Sequence, residues 1–375
     1  MIIRRFLNWI DAAPASQRAE AANALGRAFL QSELSQEDHE IADAAITLLL
    51  DDPNADVRFA LADALAPSPI APSHVIMALA DDRADISSLV LRQSPLFMDA
   101  ELVEWVERGN ESQQTAIAMR EGISSAVAKA LCESGEACAC EALLANQYVE
   151  YEAGDLVVLA DRLGGNTTIR SALLDFTALP VAARQILVKH HCAALNDLVV
   201  ERGWLKDNAA KRLISDASEK ATTTLASKVT QQDIPELIQH LLTREQLTPA
   251  FLLRSLCAGN IQLFEMAMAH LVGVNIKRMR SIIRSGNISA FSAAYRRSSL
   301  PESAFDVFAA ALSVTCQWDQ QPLAREVKQL PRRIMEEILA RCQGNISNRT
   351  LDGSIKLLRK LAADAARDSA RDFAL

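Results

Sequence analysis

Residues 41–65 read IADAAITLLLDDPNADVRFALADAL and contain two helical patterns separated by a short corner. On both sides of the corner, apolar residues recur at i, i+3, i+4, i+7 and i+8, which is typical of one buried helix face. Pro53 cannot continue the first helix and Asn54 is a good N-cap for the second. The apolar sets are Ile41, Ala44, Ala45, Leu48 and Leu49, then Val57, Ala60, Leu61, Ala64 and Leu65. The stretch therefore predicts an antiparallel helical hairpin.

The pattern returns about thirty residues later. Asp81-Asp82 echoes Asp51-Asp52, and Asp85-Ile86 echoes Asp56-Val57. Two helices and two corners need roughly this many residues, so the period indicates stacked hairpins. The acidic pairs fall at the corners, where carboxylates stabilise the start of the next helix by about 0.3–1 kcal/mol each.

The composition agrees with a helical chain. Among 375 residues there are 62 Ala but only 13 Gly and 12 Pro, and half of the chain is hydrophobic. Alanine is the best helix former and glycine and proline are the worst. We therefore expect an all-α fold of stacked antiparallel helical hairpins with degenerate repeats, and we exclude a β-sandwich, a barrel or a large α/β sheet.

Five of the 13 glycines precede an asparagine. The glycine can end one helix in the left-handed conformation, and the asparagine can cap the next helix. Each pair is thus predicted to be a tight helix–helix corner. The pairs are Gly109-Asn110, Gly165-Asn166, Gly259-Asn260, Gly286-Asn287 and Gly344-Asn345.

Several stretches resemble known helical repeats. The corner from Asp52 to Arg58 and the helix after it resemble a HEAT repeat. Three stretches between about residues 15 and 300 are similar to bacterial helical-repeat proteins known only as a domain of unknown function. They are the early helix pair through Asp56-Val57-Arg58, residues 130–135 with 143–146, and LTPAFLLRSLCAGN at residues 247–260. The resemblance implies an all-α fold and brings no reaction, cofactor or catalytic residue.

Charge is distributed unevenly along the chain. Residues 1–234 hold 20 Lys and Arg against 34 Asp and Glu, whereas residues 235–375 hold 19 against 13. The reversal coincides with a Ser- and Thr-rich stretch, Ser215 to Gln232, which lacks Gly and Pro and would also fit a polar bridging helix. We therefore predict an acidic HEAT-like lobe over residues 1–230 and a basic α-helical lobe over residues 231–375.

The basic half contains a candidate partner-binding surface. No acidic residue occurs from Met266 to Pro301. On a helix, Lys277, Arg280 and Arg284 would share one face, and such a face can bind an acidic protein or phosphates. An ordinary solvated face, or docking against the acidic half of the same chain, would explain the pattern too. The candidate residues are Lys277, Arg278, Arg280, Arg284, Arg296 and Arg297.

No motif of a known enzyme class is present. A Walker loop, G-x-S-x-G and H-E-x-x-H are all missing, so we expect no catalytic, cofactor-binding or metal-binding residues. Cys132, Cys138 and Cys140 lack the second ligand pair of a zinc site and fit better as small apolar residues. Adjacent helix side chains diverge, so His190-His191-Cys192 is not a catalytic arrangement.

The function expected from these features is that of a non-enzymatic cytosolic scaffold or adaptor that binds another protein. The alternative is a nucleic-acid-binding helical-repeat protein, base-excision glycosylases included, that uses the basic half. No stretch of eighteen apolar residues occurs, and Asp11 interrupts the N-terminal apolar segment. We therefore expect no transmembrane helix, no signal peptide and a cytoplasmic location. Whether the protein is an oligomer is left open.

Overall fold

The structure is a computed structural model that describes residues 9, 13–32, 35–228, 233–319, 330–344 and 352–374. Its secondary structure is entirely helical: the described residues form twenty-one α-helices and one 3-10 turn, with no strand. The all-α prediction is therefore confirmed. The chain divides into two compact units, Met1–Leu187 and Val188–Leu375.

The first unit is a two-layered stack of helix pairs. Helices α1, α3, α5, α7, α9 and α11 pack in succession to form one layer, and α6, α8 and α10 pack in succession to form the other. Helices α2 and α4 pack against members of the first layer. The helices are α1 Ala15–Gln31, α2 Gln36–Leu49, α3 Ala55–Leu65, α4 Ser73–Ala80, α5 Ala84–Gln93, α6 Asp99–Arg108, α7 Glu111–Ala118, α8 Ser125–Ser134, α9 Ala137–Ala145, α10 Ala153–Leu163 and α11 Thr167–Leu174. Three residues of the hairpin predicted over residues 41–65 are fully buried between the layers: Val57, Leu61 and Leu65. Successive pairs thus share one core, as the repeat prediction requires.

Side chains of one pair bind the corner of a neighbouring pair. Arg58 on α3 donates from Nε and Nη2 to the two carboxylate oxygens of Asp82, at 2.5 and 2.8 Å. Arg18 on α1 holds Asp52 in the same two-bond geometry. Further along the unit, the donors bind backbone carbonyls: Arg120 binds those of Leu91 and Ser94, Asn146 those of Ala118 and Arg120, and Arg162 those of Cys132 and Gly135. We call Arg18, Arg58, Arg120, Asn146 and Arg162 the corner ladder.

The ladder changes the role of the acidic pairs. The N-cap of α3 is Asn54, whose side chain accepts from the backbone N–H of Asp56 at 2.8 Å. Asp52 and Asp82 instead neutralise arginines that arrive from the preceding helix pair. Asp52 and Asp82, which recur thirty residues apart, are therefore the acceptors of ion pairs between neighbouring helix pairs.

The second unit starts within a long helix. The buried residues of α12 all lie in its first turns, and the division falls immediately after them; they are Ala182, Ala183, Gln185, Ile186 and Leu187. The helices are α12 Val181–Glu201, α13 Asp207–Lys228, α14 Ile234–Thr243, α15 Pro249–Cys257, α16 Ile261–Val272, α17 Ile276–Arg284, α18 Ile288–Arg297, α19 Phe305–Asp319, α20 Leu330–Gly344 and α21 Asp352–Ala374. The boundary predicted at residue 230 lies after α13, inside this unit. The polar stretch before it is helical as far as Lys228, and residues 229–232 lie outside the described residues.

Helices α15 and α16 form the core of the second unit. Thr248 caps α15 by accepting from the N–H of Phe251 at 3.0 Å, and Pro249 occupies its first turn. Every residue from Phe251 to Cys257 is buried. Helix α15 packs against α13, α16, α19 and α20. The stretch at residues 247–260, one of the three that resemble the bacterial family, therefore lies at the centre of this unit.

The Gly-Asn pairs lie at corners wherever the structure describes both residues. Asn110, Asn166, Asn260 and Asn287 each accept a bond from an N–H of the helix that follows. Gly259 and Gly286 are left-handed, with φ of 81° and 68°, and Gly109 is not, with φ of −74°. The corner prediction is confirmed, and the left-handed conformation holds for part of the set. Asn345 lies outside the described residues.

The net charge differs in sign between the two units. Met1–Leu187 contains 13 Lys and Arg against 28 Asp and Glu, a net charge of −15. Val188–Leu375 contains 26 against 19, a net charge of +7. The candidate basic residues all belong to the second unit.

Candidate partner-binding surface

Helix α17 separates apolar and basic residues onto opposite faces. Met279 and Ile283 are buried, whereas Lys277 and Arg278 are exposed. Asn275 starts the helix by accepting from the N–H of Lys277 at 2.8 Å. The helix predicted from the sequence over residues 275–284 is therefore present, with its cations on the outer side.

A buried carboxylate lies directly beneath two of these cations. Glu265, in α16, is 0% exposed. Arg280 donates from Nε to Oε2 at 2.9 Å, and Arg284 donates from Nε to Oε1 at 2.6 Å. Each carboxylate oxygen thus has its own guanidinium, and burial of the negative charge is compensated. We call Glu265, Arg280 and Arg284 the glutamate clamp.

The clamp fixes the two arginines without hiding them. Their side chains are 49% and 41% exposed, although Glu265 beneath them is fully covered. Two guanidinium groups face one carboxylate, so Glu265 by itself balances one of the two positive charges. Lys277 and Arg278 add two exposed cations, and neither has an ion pair within the part of the chain that the structure describes. We call Lys277, Arg278, Arg280 and Arg284 the basic surface.

The remaining two candidates lie at the end of α18. Arg297 donates from Nη2 to the carbonyl of Val272 at 3.3 Å, which ties it to the end of α16. Arg296 lies 4.0 Å from the carboxylate of Glu302, and both side chains are largely exposed. These residues therefore support the α18 corner, and the basic surface carries most of the available charge.

A cavity of about 350 Å³ lies beside the basic surface, between α17, α18 and α19. Ile283 and Phe291 contribute buried apolar side chains to its lining, and Ile288 is 66% exposed. Arg284 belongs to both the clamp and the cavity wall. The full lining is Ile282, Ile283, Arg284, Ser285, Gly286, Asn287, Ile288, Phe291, Ala309, Leu312, Ser313, Cys316 and Gln317.

Arg341 of α20 organises the polar part of the cavity rim. Its Nη1 donates to the hydroxyl of Ser313 at 2.7 Å, and its Nη2 donates to the side-chain carbonyl of Gln317 at 2.8 Å. Both acceptors line the cavity. The cavity therefore has a mixed lining of apolar and polar side chains, with two guanidinium groups at or near its edge.

A second recess, of about 850 Å³, crosses α3, α5 and α7 in the first unit. Phe59 and Met119 are exposed in it, and the charges around it have both signs: Asp85, Arg92 and Glu111. It is wide and open and carries no concentration of one charge. The basic surface is therefore a better defined candidate for partner binding than this recess.

The three cysteines of the cluster differ in exposure: Cys132 and Cys140 are buried, and Cys138 is exposed. Burial raises the pKa of the Cys132 thiol to about 12 and also raises the pKa of Cys140. Cys138 is exposed, and its pKa is raised by a hydrogen bond to Glu111. All three thiols are therefore protonated at neutral pH. Among the described residues, no three His, Cys, Asp or Glu side chains group as metal ligands.

Sequence reasoning missed Glu265 because it precedes the acid-free run by one residue. The sequence nevertheless marks Glu265 as unusual, because it is the only charged residue in the apolar helix IQLFEMAMAHLV, residues 261–272. A lone acid on such a helix predicts a buried carboxylate, which requires a cationic partner. The expectation that Arg280 and Arg284 belong to a merely solvated face is corrected by this contact.

Comparison with known proteins places the chain in one family. A family model described as an uncharacterised protein conserved in bacteria, DUF2336, matches residues 86–369. The match includes the basic surface and two of the three resembling stretches, and it begins after the Asp56-Val57-Arg58 corner. Neither curated proteins nor solved structures gave a significant match. No described helix is both long and apolar enough to cross a bilayer. The chain therefore belongs to the DUF2336 family of uncharacterised bacterial proteins.

Proposed function

We propose that this protein is a non-enzymatic helical-repeat scaffold or adaptor that binds another protein through the basic surface. The observation that carries the proposal is the glutamate clamp, which holds two half-exposed guanidinium groups in fixed positions beside a cavity. Fixed donors lose less side-chain entropy on binding than free surface arginines do. Stacked helical pairs also provide the extended surfaces that scaffold proteins use.

The partner fits best as an acidic protein. Lys277 and Arg278 are exposed cations, and Arg280 beside them has a half-exposed guanidinium group. Complementary charge speeds association and fixes orientation, and it makes affinity depend on salt.

Two finer assignments belong to the same proposal. The two-layered helix pairs with an inter-repeat ion pair at the corner support a HEAT-like repeat in the first unit. A cytoplasmic location fits the buried thiols of Cys132 and Cys140, since thiols persist in reducing compartments. Nucleic acid is the less favoured ligand, because the whole chain has a net charge of −8 and the aromatic residues Phe291 and Tyr295 of α18 are buried, so they cannot stack on bases.

The test changes the charge of the basic surface and keeps the glutamate clamp that stabilises the fold. Lys277→Gln with Arg278→Gln removes two cations that have no ion pair within the described structure, and leaves the clamp intact. The variant and the wild type are each used to capture partners from a lysate of the native host, and the affinity of the captured protein is then measured at several salt concentrations. We expect weaker binding and a flatter salt dependence in the variant.

The matched control is Arg27→Gln with Arg92→Gln, which makes the same charge change on exposed residues of the first unit. Equal affinity of both double variants for the captured protein would contradict the proposal. Loss of duplex DNA binding in the Lys277 and Arg278 variant, with protein binding unchanged, would instead support the nucleic-acid function.

A further inference from the structure

We propose that the cavity between α17, α18 and α19 receives a bulky apolar side chain of the partner, so that the ligand is an acidic peptide segment with one aliphatic or aromatic anchor. This inference rests on the proposed function and specifies what the partner must contain. It is carried by the position of the cavity, whose wall includes Arg284 of the basic surface.

The size of the cavity suits one anchor. Its volume of about 350 Å³ lies at the lower end of the range of about 300–1,000 Å³ found for sites that enclose whole ligands. One large side chain with part of its backbone uses such a space, whereas a large cofactor does not. Phe291 and Leu312 provide buried apolar contact area inside it.

Ile288 indicates where the anchor enters. It is the first residue of α18 and lines the cavity, yet 66% of it is exposed. An isoleucine at the mouth of a cavity gains about 25 cal/mol for each Å² that a ligand covers. An anchor that passes Ile288 covers it and the buried lining together.

Arg284 explains why the anchor must be flanked by acid. Its side chain lines the cavity and is 41% exposed, while Nε is held by Glu265. A carboxylate one or two residues from the anchor therefore meets a positioned guanidinium, with Lys277, Arg278 and Arg280 on the same helix. A basic or neutral segment has no such match, so charge complementarity selects the occupant.

The experiment uses labelled decapeptides and the full chain. Three acidic peptides differ only at a central position that is Leu, Phe or Ala, and a fourth replaces all acids of the Leu peptide by Gln. Fluorescence anisotropy gives each affinity. We expect the Leu and Phe peptides to bind at least about tenfold more tightly than the Ala peptide, because one buried apolar side chain contributes that much, and we expect the Gln peptide to lose binding.

A filled cavity provides the matched variant. Ala309 lines the cavity and is half-buried, and its neighbour Ala310 is half-buried but does not line it. Ala309→Leu should abolish the advantage of the Leu peptide over the Ala peptide, while Ala310→Leu should preserve it. If Ala309→Leu does not fold, the wild type supplies a second readout: the Leu peptide should slow alkylation of Cys316, in the cavity, and leave alkylation of Cys138 unchanged.

The outcomes separate the two proposals. If acidic peptides bind but Leu, Phe and Ala peptides have equal affinity and Cys316 is not protected, the cavity inference is wrong and the acidic-partner proposal stands. If none of the acidic peptides binds, the proposed function itself fails. A Gln peptide that binds as well as its acidic counterpart would show an apolar site without charge selection, and would overturn the inference.

Discussion

At the scale of single residues, Glu265 determines what the basic half can do. It converts two of the six candidate cations into a structural unit and leaves Lys277 and Arg278 as the cations without an internal role in the described structure. Replacing Glu265 and replacing the two arginines should therefore lower the free energy of unfolding by different amounts. Without Glu265 the arginines can turn to water, because they are half-exposed, whereas without the arginines a charge stays buried.

We expect Arg280→Gln with Arg284→Gln to lower the free energy of unfolding by about 3–5 kcal/mol, since an unpaired buried carboxylate remains. Glu265→Gln should lower it by about 1–3 kcal/mol, the value of lost charge-assisted hydrogen bonds. Urea denaturation of the second unit measures both. Adding Glu265→Gln to the double arginine variant should restore stability, and a further loss in the triple variant would contradict the clamp.

At the scale of helices and corners, much of the fold follows from local sequence. The hairpin over residues 41–65, the Asn-capped corners and the α15 start at Thr248-Pro249 are all set by apolar spacing and capping chemistry within a few residues. The partners of Asp52 and Asp82 could not be predicted, because the arginines that bind them lie 34 and 24 residues away. Contacts at that range depend on how pairs stack, which local periodicity does not specify. The cavity beside α17 depends in the same way on α19.

The α17–α18 corner can be tested at Gly286. Its φ of 68° lies in the left-handed region, and a Cβ there would meet no heavy atom within 4 Å. Gly286→Ala should therefore cost only the backbone strain, about 1–2 kcal/mol in the free energy of unfolding. Thermal unfolding measures the loss, and Gly286→Asn should recover part of it because asparagine tolerates this conformation. Equal stability of the alanine variant and the wild type would argue against a left-handed corner.

The α1–α3 contact can be tested at Gly26. A Cβ there would lie 2.9 Å from the Cβ of Ala64, so the two helices approach too closely for a side chain. Gly26→Val should destabilise the first unit by about 1–3 kcal/mol through overpacking. Gly154, in α10, faces open space, and Gly154→Ala should be neutral or stabilise by up to about 1 kcal/mol. Urea denaturation of both variants decides whether close packing or glycine loss as such is responsible.

At the scale of the whole molecule, two ion pairs between neighbouring helix pairs make the stability of the first unit depend on pH. The Arg18 guanidinium holds the pKa of Asp52 below its ordinary value, and the Arg58 guanidinium does the same for Asp82. Both carboxyls thus bind a proton less readily in the folded chain than in the unfolded chain. The stability they contribute is complete above their unfolded pKa, near pH 4, and is lost as pH falls through the lower folded pKa.

We therefore expect the first unit to lose stability progressively below about pH 4. Fluorescence of Trp105, which is buried in that unit, reports the transition in urea titrations at each pH. Asp82→Asn should be less stable than the wild type at pH 7 and should show a flatter dependence below pH 4. An unchanged pH dependence in the variant would mean that the ion pair with Arg58 contributes little.

The corner ladder also sets a rule for how this chain can vary over generations. Its donors reach acceptors 24 to 34 residues away, so each bond depends on the length of chain between two neighbouring corners. Most other positions of a repeat need only remain apolar or polar. The amino-acid types within a repeat can therefore change more easily than its number of residues. A deletion or duplication of a whole helix pair preserves the register of the remaining ladder, whereas the loss of one residue within a pair breaks it. The first unit should therefore gain or lose complete helix pairs. Engineered versions should likewise be shortened at the boundaries between helix pairs.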